Sequence, residues 1–260
     1  MSLIQEESTG EAPAGLRPGR RRAVKRALYE ILLVGVLFLA YKIGRVAADG
    51  HVGEALANAE HVWSLERALR LPSEYALQHL VIANHWLIKA ANCYYAYVHF
   101  PATAAALIWL YVRRPERYVP TRRLLAWLTA ASLAVHLVFP LAPPRMLTDV
   151  GMVDTGHLFG PAVYGSPSTD TLTNQFAAMP SLHVGWALAV AIAVIGATTS
   201  RWRWLWLIHP ALTLLVVVVT GNHYWLDALV ATALLGVVAA VLNAATARTP
   251  AIPAPRAGRA

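Results

Sequence analysis

The sequence predicts an all-α polytopic membrane protein: a six-helix transmembrane bundle with interfacial helices between the first and second spans. Three observations carry that prediction. Of 260 residues, 57% are hydrophobic and only 14% charged, where a soluble domain carries roughly a quarter charged residues. The apolar residues gather into runs near the ~20 residues that an α-helix needs to cross a bilayer core. The basic residues, which give a formal charge of +8, fall mainly in alternate connecting segments, as they do in membrane proteins of defined orientation.

Residues 1–27 are polar and rich in Gly, Pro and Arg, the composition of a disordered tail. The apolar run 28–48 is longer than a signal-peptide core and lacks a small-residue cleavage site after it, so it reads as the first span. Segment 50–92 mixes Leu56, Ala59, Val62, Trp63 and Leu69 with Glu60, Glu66, Arg67 and Arg70, which suits helices lying in the interface. Its stretch 75–91 is apolar enough to dip into the membrane and leaves a seventh span open. Further spans are expected over 95–112, 122–141, 181–198, 204–220 and 224–245, and residues 246–260 form a second disordered tail. Residues 28–245 are thus expected to make one membrane-embedded catalytic domain.

The tail 1–27, the loop 113–123, the turn 200–203 and the tail 246–260 together hold sixteen Lys and Arg, whereas the intervening segments 49–94, 142–180 and 221–223 hold four. Basic loops stay in the cytoplasm, so both termini are expected there, in a plasma membrane. The charge therefore marks topology and not a nucleic-acid partner. The one cysteine, Cys93, excludes an intrachain disulfide framework and a thiolate metal cluster.

On this topology, chemistry collects on the outer face. Pro180-Ser181-Leu182-His183 opens the fourth span from outside, Asn222-His223-Tyr224-Trp225-Leu226-Asp227 opens the sixth, and the third exits into Pro143-Pro144-Arg145. His223 and Asp227 are four apart, on one helical face. A carboxylate there can take the Nδ1 proton of the imidazole and leave Nε2 as nucleophile or base. A carboxylate within an apolar span is costly and usually functional. His183 supplies a second imidazole at the same depth, suited to general acid–base work, although a lone interfacial histidine or an N-cap serine is equally a structural feature. Helix N-termini and Arg145 offer donors for phosphate oxygens. Ser181, Asn222, His99 and His136 are candidate substrate-contacting residues at this face. His209, near the cytoplasmic end of the fifth span, reads as structural.

Pro180–His183 and His223–Asp227 resemble the Pro-Ser-x-His and His-x-x-x-Asp motifs of the type 2 phosphatidic acid phosphatase superfamily. Ala178–His183, His223-Tyr224-x-x-Asp227 and the Ala-Pro-Pro of residues 142–144 look most like its inositol phosphorylceramide synthase branch. The resemblance implies His223 as nucleophile through a phosphohistidine, Asp227 orienting it, and His183 protonating the leaving alcohol and then deprotonating the acceptor. It implies no metal and no cofactor. The chain departs from the lipid phosphatases where Val216 and Val217 stand in place of Ser-Arg, and Val138 in place of a lysine seven residues before the motif arginine. These departures leave Arg145, Ser181, Asn222 and helix N–H groups to hold phosphate. The expected function is a membrane phosphotransferase acting on lipid phosphate esters at the outer leaflet, with a phospholipid or other lipid phosphate as substrate and an alcohol or water as acceptor. The alternatives are a lipid phosphate or polyprenyl pyrophosphate phosphatase of the same superfamily, a two-histidine, one-carboxylate metal enzyme built on His183, His223 and Asp227, and a transporter whose intramembrane charges line a path.

Overall fold

The computed structural model describes residues 51–165 and 175–248 throughout, together with positions 25, 28–33, 35–40, 42 and 43. The expected first span is described only in part, and the expected tails lie almost wholly outside the described residues, as do residues 166–174.

The described residues are all-helical: α1 (Val52–Ala68), α2 (Glu74–Ile82), α3 (His85–Tyr97), α4 (His99–Arg113), α5 (Pro115–Val138), α6 (Thr155–Phe159), α7 (Leu182–Ala197), α8 (Ile208–Val219) and α9 (Trp225–Ala247), with 3-10 turns at Pro144–Met146, Thr148–Val150 and Arg201–Leu207. Two stretches, Arg201–Val219 and Trp225–Ala247, are long and apolar enough to cross a membrane, and the bent pair α3–α4 makes a third. Ile108, Trp127, Val138, Leu229, Val237 and Val241 lie largely exposed on the outsides of these helices, an apolar surface that lipid covers. The chain is a membrane protein.

Local chemistry explains where the helices depart from the sequence expectation. The expected span 95–112 straddles a 45° bend between α3 and α4. Pro101 has no N–H to give the carbonyl of Tyr97, four residues back, so the ladder breaks there. The expected basic loop 113–123 is reduced to Arg114, because Pro115 takes the first position of α5, where its missing donor and fixed φ suit a helix start. The helix ends at Val138, just before Phe139-Pro140; a residue preceding proline avoids helical dihedrals. Between spans one and two lie α1 and α2, each held to the bundle: α1 packs on α9, and α2 on α8. Ser73 caps α2 by accepting from Ala76 N, and Asn84 caps α3 by accepting from Trp86 N and Leu87 N.

Helix α7 lies at the centre, packed against α4, α5, α8 and α9. Its small residues allow this: Ala187, Ala189, Val190 and Ala191 are fully buried, and a Cβ on Gly185 would stand 3.1 Å from Cδ2 of Leu128 on α5. With lipid outside, close backbone approach and van der Waals packing hold such helices together. The loop leaving α5 returns to the start of α7 through a short parallel bridge, Leu141 N to Phe176 O (2.8 Å) and Ala178 N to Leu141 O (3.3 Å). Asn58 Nδ2 donates to Pro140 O at 2.8 Å and ties the same corner to α1.

Gly185→Leu should force α5 and α7 apart and cost about 1–3 kcal/mol, as overpacking usually does. Gly185→Ala needs only a small shift of the Leu128 side chain and should melt near wild type. Thermal unfolding in detergent checks both, and a leucine variant as stable as wild type contradicts this packing.

Candidate active site

The turn joining α8 to α9 is built before any side chain points at a substrate. Gly221 sits at φ 69°, and a Cβ there would meet Gln78 Nε2 at 3.0 Å and Arg145 Cβ at 3.1 Å, so glycine alone fits both the dihedral and the space. Asn222 N and His223 N both donate to Val217 O, at 2.9 and 3.1 Å. Tyr224 is the extended N-cap of α9. Asp227, three residues on, reaches back so that Oδ2 accepts from Tyr224 N (2.9 Å) and from His223 Nδ1 (3.1 Å). The pair expected on one helical face is therefore a histidine standing before the helix and a carboxylate folding over its first turn, a geometry related to a capping box.

His223 Nδ1 has a second partner, Ala178 O at 2.8 Å. Both partners are acceptors, so Nδ1 carries the hydrogen and Nε2 keeps its lone pair. Burial holds the imidazole at a pKa of about 4; the Arg145 charge pushes the same way and the Ala178 carbonyl opposes it. At neutral pH the ring is uncharged. Asp227 is fully buried and its Oδ1 has no partner among the described residues.

The Pro180–His183 segment lies against this turn. Ser181 N donates to Asp227 O at 3.1 Å, and Ser181 Oγ accepts from Val184 N, so Ser181, fully buried, is spent on capping α7. His136 Nε2 meets Pro180 O at 3.2 Å and supports the segment from α5. His183 is the second residue of α7, with its ring centroid 5.7 Å from that of His223. It stacks on Tyr95 at 4.7 Å and has His99 4.9 Å away. The two candidate imidazoles thus come from different helix starts to one place.

Arg145 completes the cluster. Its backbone N donates to Gly221 O at 2.9 Å, Nη1 donates to Asn222 Oδ1 at 2.6 Å, and its guanidinium lies 4.3 Å from the Tyr164 ring centroid. Asn222 Nδ2 turns to Thr220 Oγ1 at 2.8 Å, so this residue orients Arg145 with one end and is anchored by the other. Nη2 of Arg145 is buried and without a partner among the described residues, an unspent donor of the kind a phosphate oxygen fills. The Tyr164 hydroxyl bonds that of Tyr95, linking the arginine to the ring beneath His183.

Sequence reasoning passed over two supports. Asp154, in the loop between α5 and α6, pairs with Arg145 Nε at 3.2 Å and with His157 Nδ1 at 3.1 Å. Burial raises its pKa, but the His157 N–H and the Arg145 charge outweigh that and hold it below the usual value. Its signal was the Asp-x-x-His spacing of an N-cap. Glu66, read as a polar residue of an interfacial helix, is fully buried and accepts from Leu226 N at 2.8 Å through Oε1. Glu74 beside it takes Arg67 Nη2 at 2.8 Å. Glu66 Oε2 and Glu74 Oε1 are both buried without a hydrogen-bond partner among the described residues, an arrangement that one shared proton satisfies. Burial first, then the hydrogen bond to Glu74, push Glu66 up to about 9.

Beside His183 a cavity of about 470 Å³ opens between the helices, lined by Phe100, Leu133, His136, Trp186 and His99 among others, with Leu37 and Phe38 at its edge. Its size is that of a small-molecule site and its walls are mainly apolar. His99, 1% exposed, lines this cavity and does not reach Arg145. His209, read as structural, bonds the Tyr94 hydroxyl at 2.8 Å and stacks behind His99 at 5.9 Å. Among the described residues no group of three His, Cys, Asp or Glu could hold a metal ion; His223 Nδ1 and Asp227 Oδ2 face each other instead.

The chain matches the family model described as the PAP2 superfamily over residues 60–241, a range that contains every residue of this cluster. No curated protein matches it, and no solved structure does.

The folded protein keeps a proton on Glu66 that the unfolded chain gives up above about 4.5, so this group's contribution to stability is present below that pH and is lost as pH rises towards about 9. Glu66→Gln keeps an oxygen for Leu226 N and removes the titration. Its melting temperature should fall less than that of wild type between pH 5 and 9, whereas Glu66→Ala should lower it at every pH. Parallel wild-type and Gln curves contradict a neutral Glu66.

Proposed function

The chain belongs to the PAP2 superfamily, and on that premise we propose that it is a membrane phosphotransferase acting on lipid phosphate esters at the outer leaflet through a phosphohistidine. Membership makes it an enzyme, a phosphatase or phosphotransferase of phosphate esters; the finer reading rests on the site. The observation that carries it is the fixed tautomer of His223: two acceptors on Nδ1 leave a neutral Nε2 near a second imidazole and an arginine with an open donor.

His223 Nε2 attacks phosphorus as the bond to the leaving alcohol breaks, and His183, which takes up a proton when the substrate's anionic phosphate is bound beside it, gives that oxygen the proton. The product is a phosphohistidine whose ring charge is balanced by Asp227. An acceptor alcohol then loses its proton to His183 as its oxygen attacks phosphorus, and His223 departs with its original electron pair. Donors already fixed in place need no reorganisation as charge develops on phosphorus oxygens, which is the role of Arg145 Nη2, while Asn222, Ser181 and His136 position the groups that act. The apolar cavity beside His183 suits a lipid tail.

An alcohol acceptor fits the electrostatics. A phosphomonoester dianion calls for several cations, and Val216 and Val217 stand where the lipid phosphatases of this superfamily carry Ser-Arg. A phosphodiester carries one charge, matched by Arg145 alone. The distribution of Lys and Arg supports an even number of spans, six, with both termini in the cytoplasm; a plasma-membrane location and a single catalytic domain over 28–245 are part of the same proposal.

His223→Ala, His183→Ala and Asp227→Asn should each lower turnover about a hundredfold or more, the usual scale of lost acid–base or nucleophilic groups. Because His223 must be neutral to attack, kcat/KM should fall as pH drops through about 4. Incubated with membrane phospholipids and an alcohol, the purified enzyme should yield a new phosphodiester by mass spectrometry. Release of inorganic phosphate from phosphatidic acid or a polyprenyl pyrophosphate, with no new diester, establishes the phosphatase instead.

A further inference from the structure

A second cavity, of about 400 Å³, opens at the opposite end of α7, lined by Ala105, Ala106, Trp109, Val194, Thr198 and Trp206. Sixteen residues of helix separate it from the start of α7, about 24 Å at 1.5 Å per residue, so it lies towards the other membrane surface from His183. Its one hydroxyl, Thr198 Oγ1, is turned to Val194 O at 3.2 Å, which leaves the walls apolar.

Two guanidinium groups stand at its rim. Arg114 Nε donates to Ala197 O at 3.0 Å, and Arg203 Nη1 donates to Thr198 O at 3.1 Å. These neighbouring carbonyls end α7, and cations there satisfy acceptors that no helical N–H reaches. That accounts for the position of the arginines but not for their remaining donors: a guanidinium has five N–H groups, and Arg114 spends only one more, on Arg113 O at 3.3 Å. Among the described residues no carboxylate pairs with either arginine. Two like charges are therefore held on adjacent carbonyls beside an apolar hollow, with no carboxylate among the described residues paired to them. Exposed Trp202 and Trp204 stand alongside, the residue type that settles at the head-group level of a bilayer. Basic pockets between helices at this depth suit anionic lipid head groups.

We propose that this is a binding site for one anionic phospholipid of the leaflet opposite the catalytic face, with an acyl chain in the cavity between Trp109 and Trp206 and its phosphate bridging Arg114 and Arg203. The lipid then joins three elements: the α4–α5 junction through Arg114, the end of α7, and the 3-10 turn Arg201–Leu207. The site is independent of the proposed reaction and stands or falls without it.

Native mass spectrometry of the full chain, titrated with phosphatidylglycerol or phosphatidylcholine of the same acyl chains, tests the site alongside melting temperature. Wild type should retain one phosphatidylglycerol at least tenfold more strongly than phosphatidylcholine and melt higher with it. Arg114→Gln with Arg203→Gln should lose that preference. Because this pair also caps α7, Ala105→Phe provides a second variant: the exposed Ala105 lines the cavity, and the ring should block the acyl chain while leaving both arginines in place. Equal retention of the two lipids by wild type, or undiminished phosphatidylglycerol binding in Ala105→Phe, overturns the proposal. So does inorganic phosphate stabilising wild type as well as the lipid does, since that marks a site for a free anion.

Discussion

A carboxylate removed from water demands hydrogen-bond donors, and the first turn of α9 is organised around supplying two of them to one oxygen of Asp227. Asp227 is fully buried and spends Oδ2 on Tyr224 N and His223 Nδ1. Isolated burial of such a charge is too costly to persist, so the turn cannot relax without leaving it unpaired. Each neighbouring element then grips the same turn through the backbone: Ser181 N on Asp227 O, Arg145 N on Gly221 O, and Glu66 Oε1 on Leu226 N. Tyr224 adds its hydroxyl to Ala142 O at 3.1 Å. Three separate parts of the chain thus converge on seven residues, and the positions of His183 and Arg145 relative to His223 follow from that convergence.

The same demand sets the electrostatics. One guanidinium serves the cluster, and it is already shared among Asn222, Asp154 and the face of Tyr164. Asp154 lowers the net positive charge of the site and ties its own loop to the arginine. The proposed preference for a singly charged phosphodiester follows from this. Towards the other side, the supporting carboxylates Glu66 and Glu74 avoid adding two buried charges near Asp227 because Glu66 holds a proton and Glu74 meets Arg67.

Much of this was legible in the sequence. His223, Asp227 and His183 could be named because histidine and aspartate are conspicuous at the starts of apolar runs, and Arg145 because it follows two prolines at the end of another. The helical reading of the His223–Asp227 pair was right about contact and wrong about backbone, since Gly221 and the extended Tyr224 place the histidine ahead of the helix. Ser181, Asn222 and His136 are substrate-contact candidates by sequence, and in the structure each also has a protein partner: Val184 N, Arg145 and Pro180 O respectively. Sequence spacing cannot tell a cap or a spacer from a ligand. Glu66 was hidden for a different reason: an acidic residue in an amphipathic segment looks solvated, and only the docking of α1 on α9 buries it. The bend at α3–α4 was available in Pro101, whose effect on the ladder is local chemistry.

The central claim is that His223 carries the phosphoryl group. With an aryl phosphodiester, whose leaving group needs no proton, the His183→Ala protein should complete the first step and stall before the second, which lacks its base. Rapid alkaline quench and peptide mass spectrometry should then find one acid-labile phosphoryl group, attached to His223 and absent from the His183→Ala/His223→Ala double variant. A label on any other residue, or turnover of that substrate by His223→Ala protein at the wild-type rate, contradicts the account.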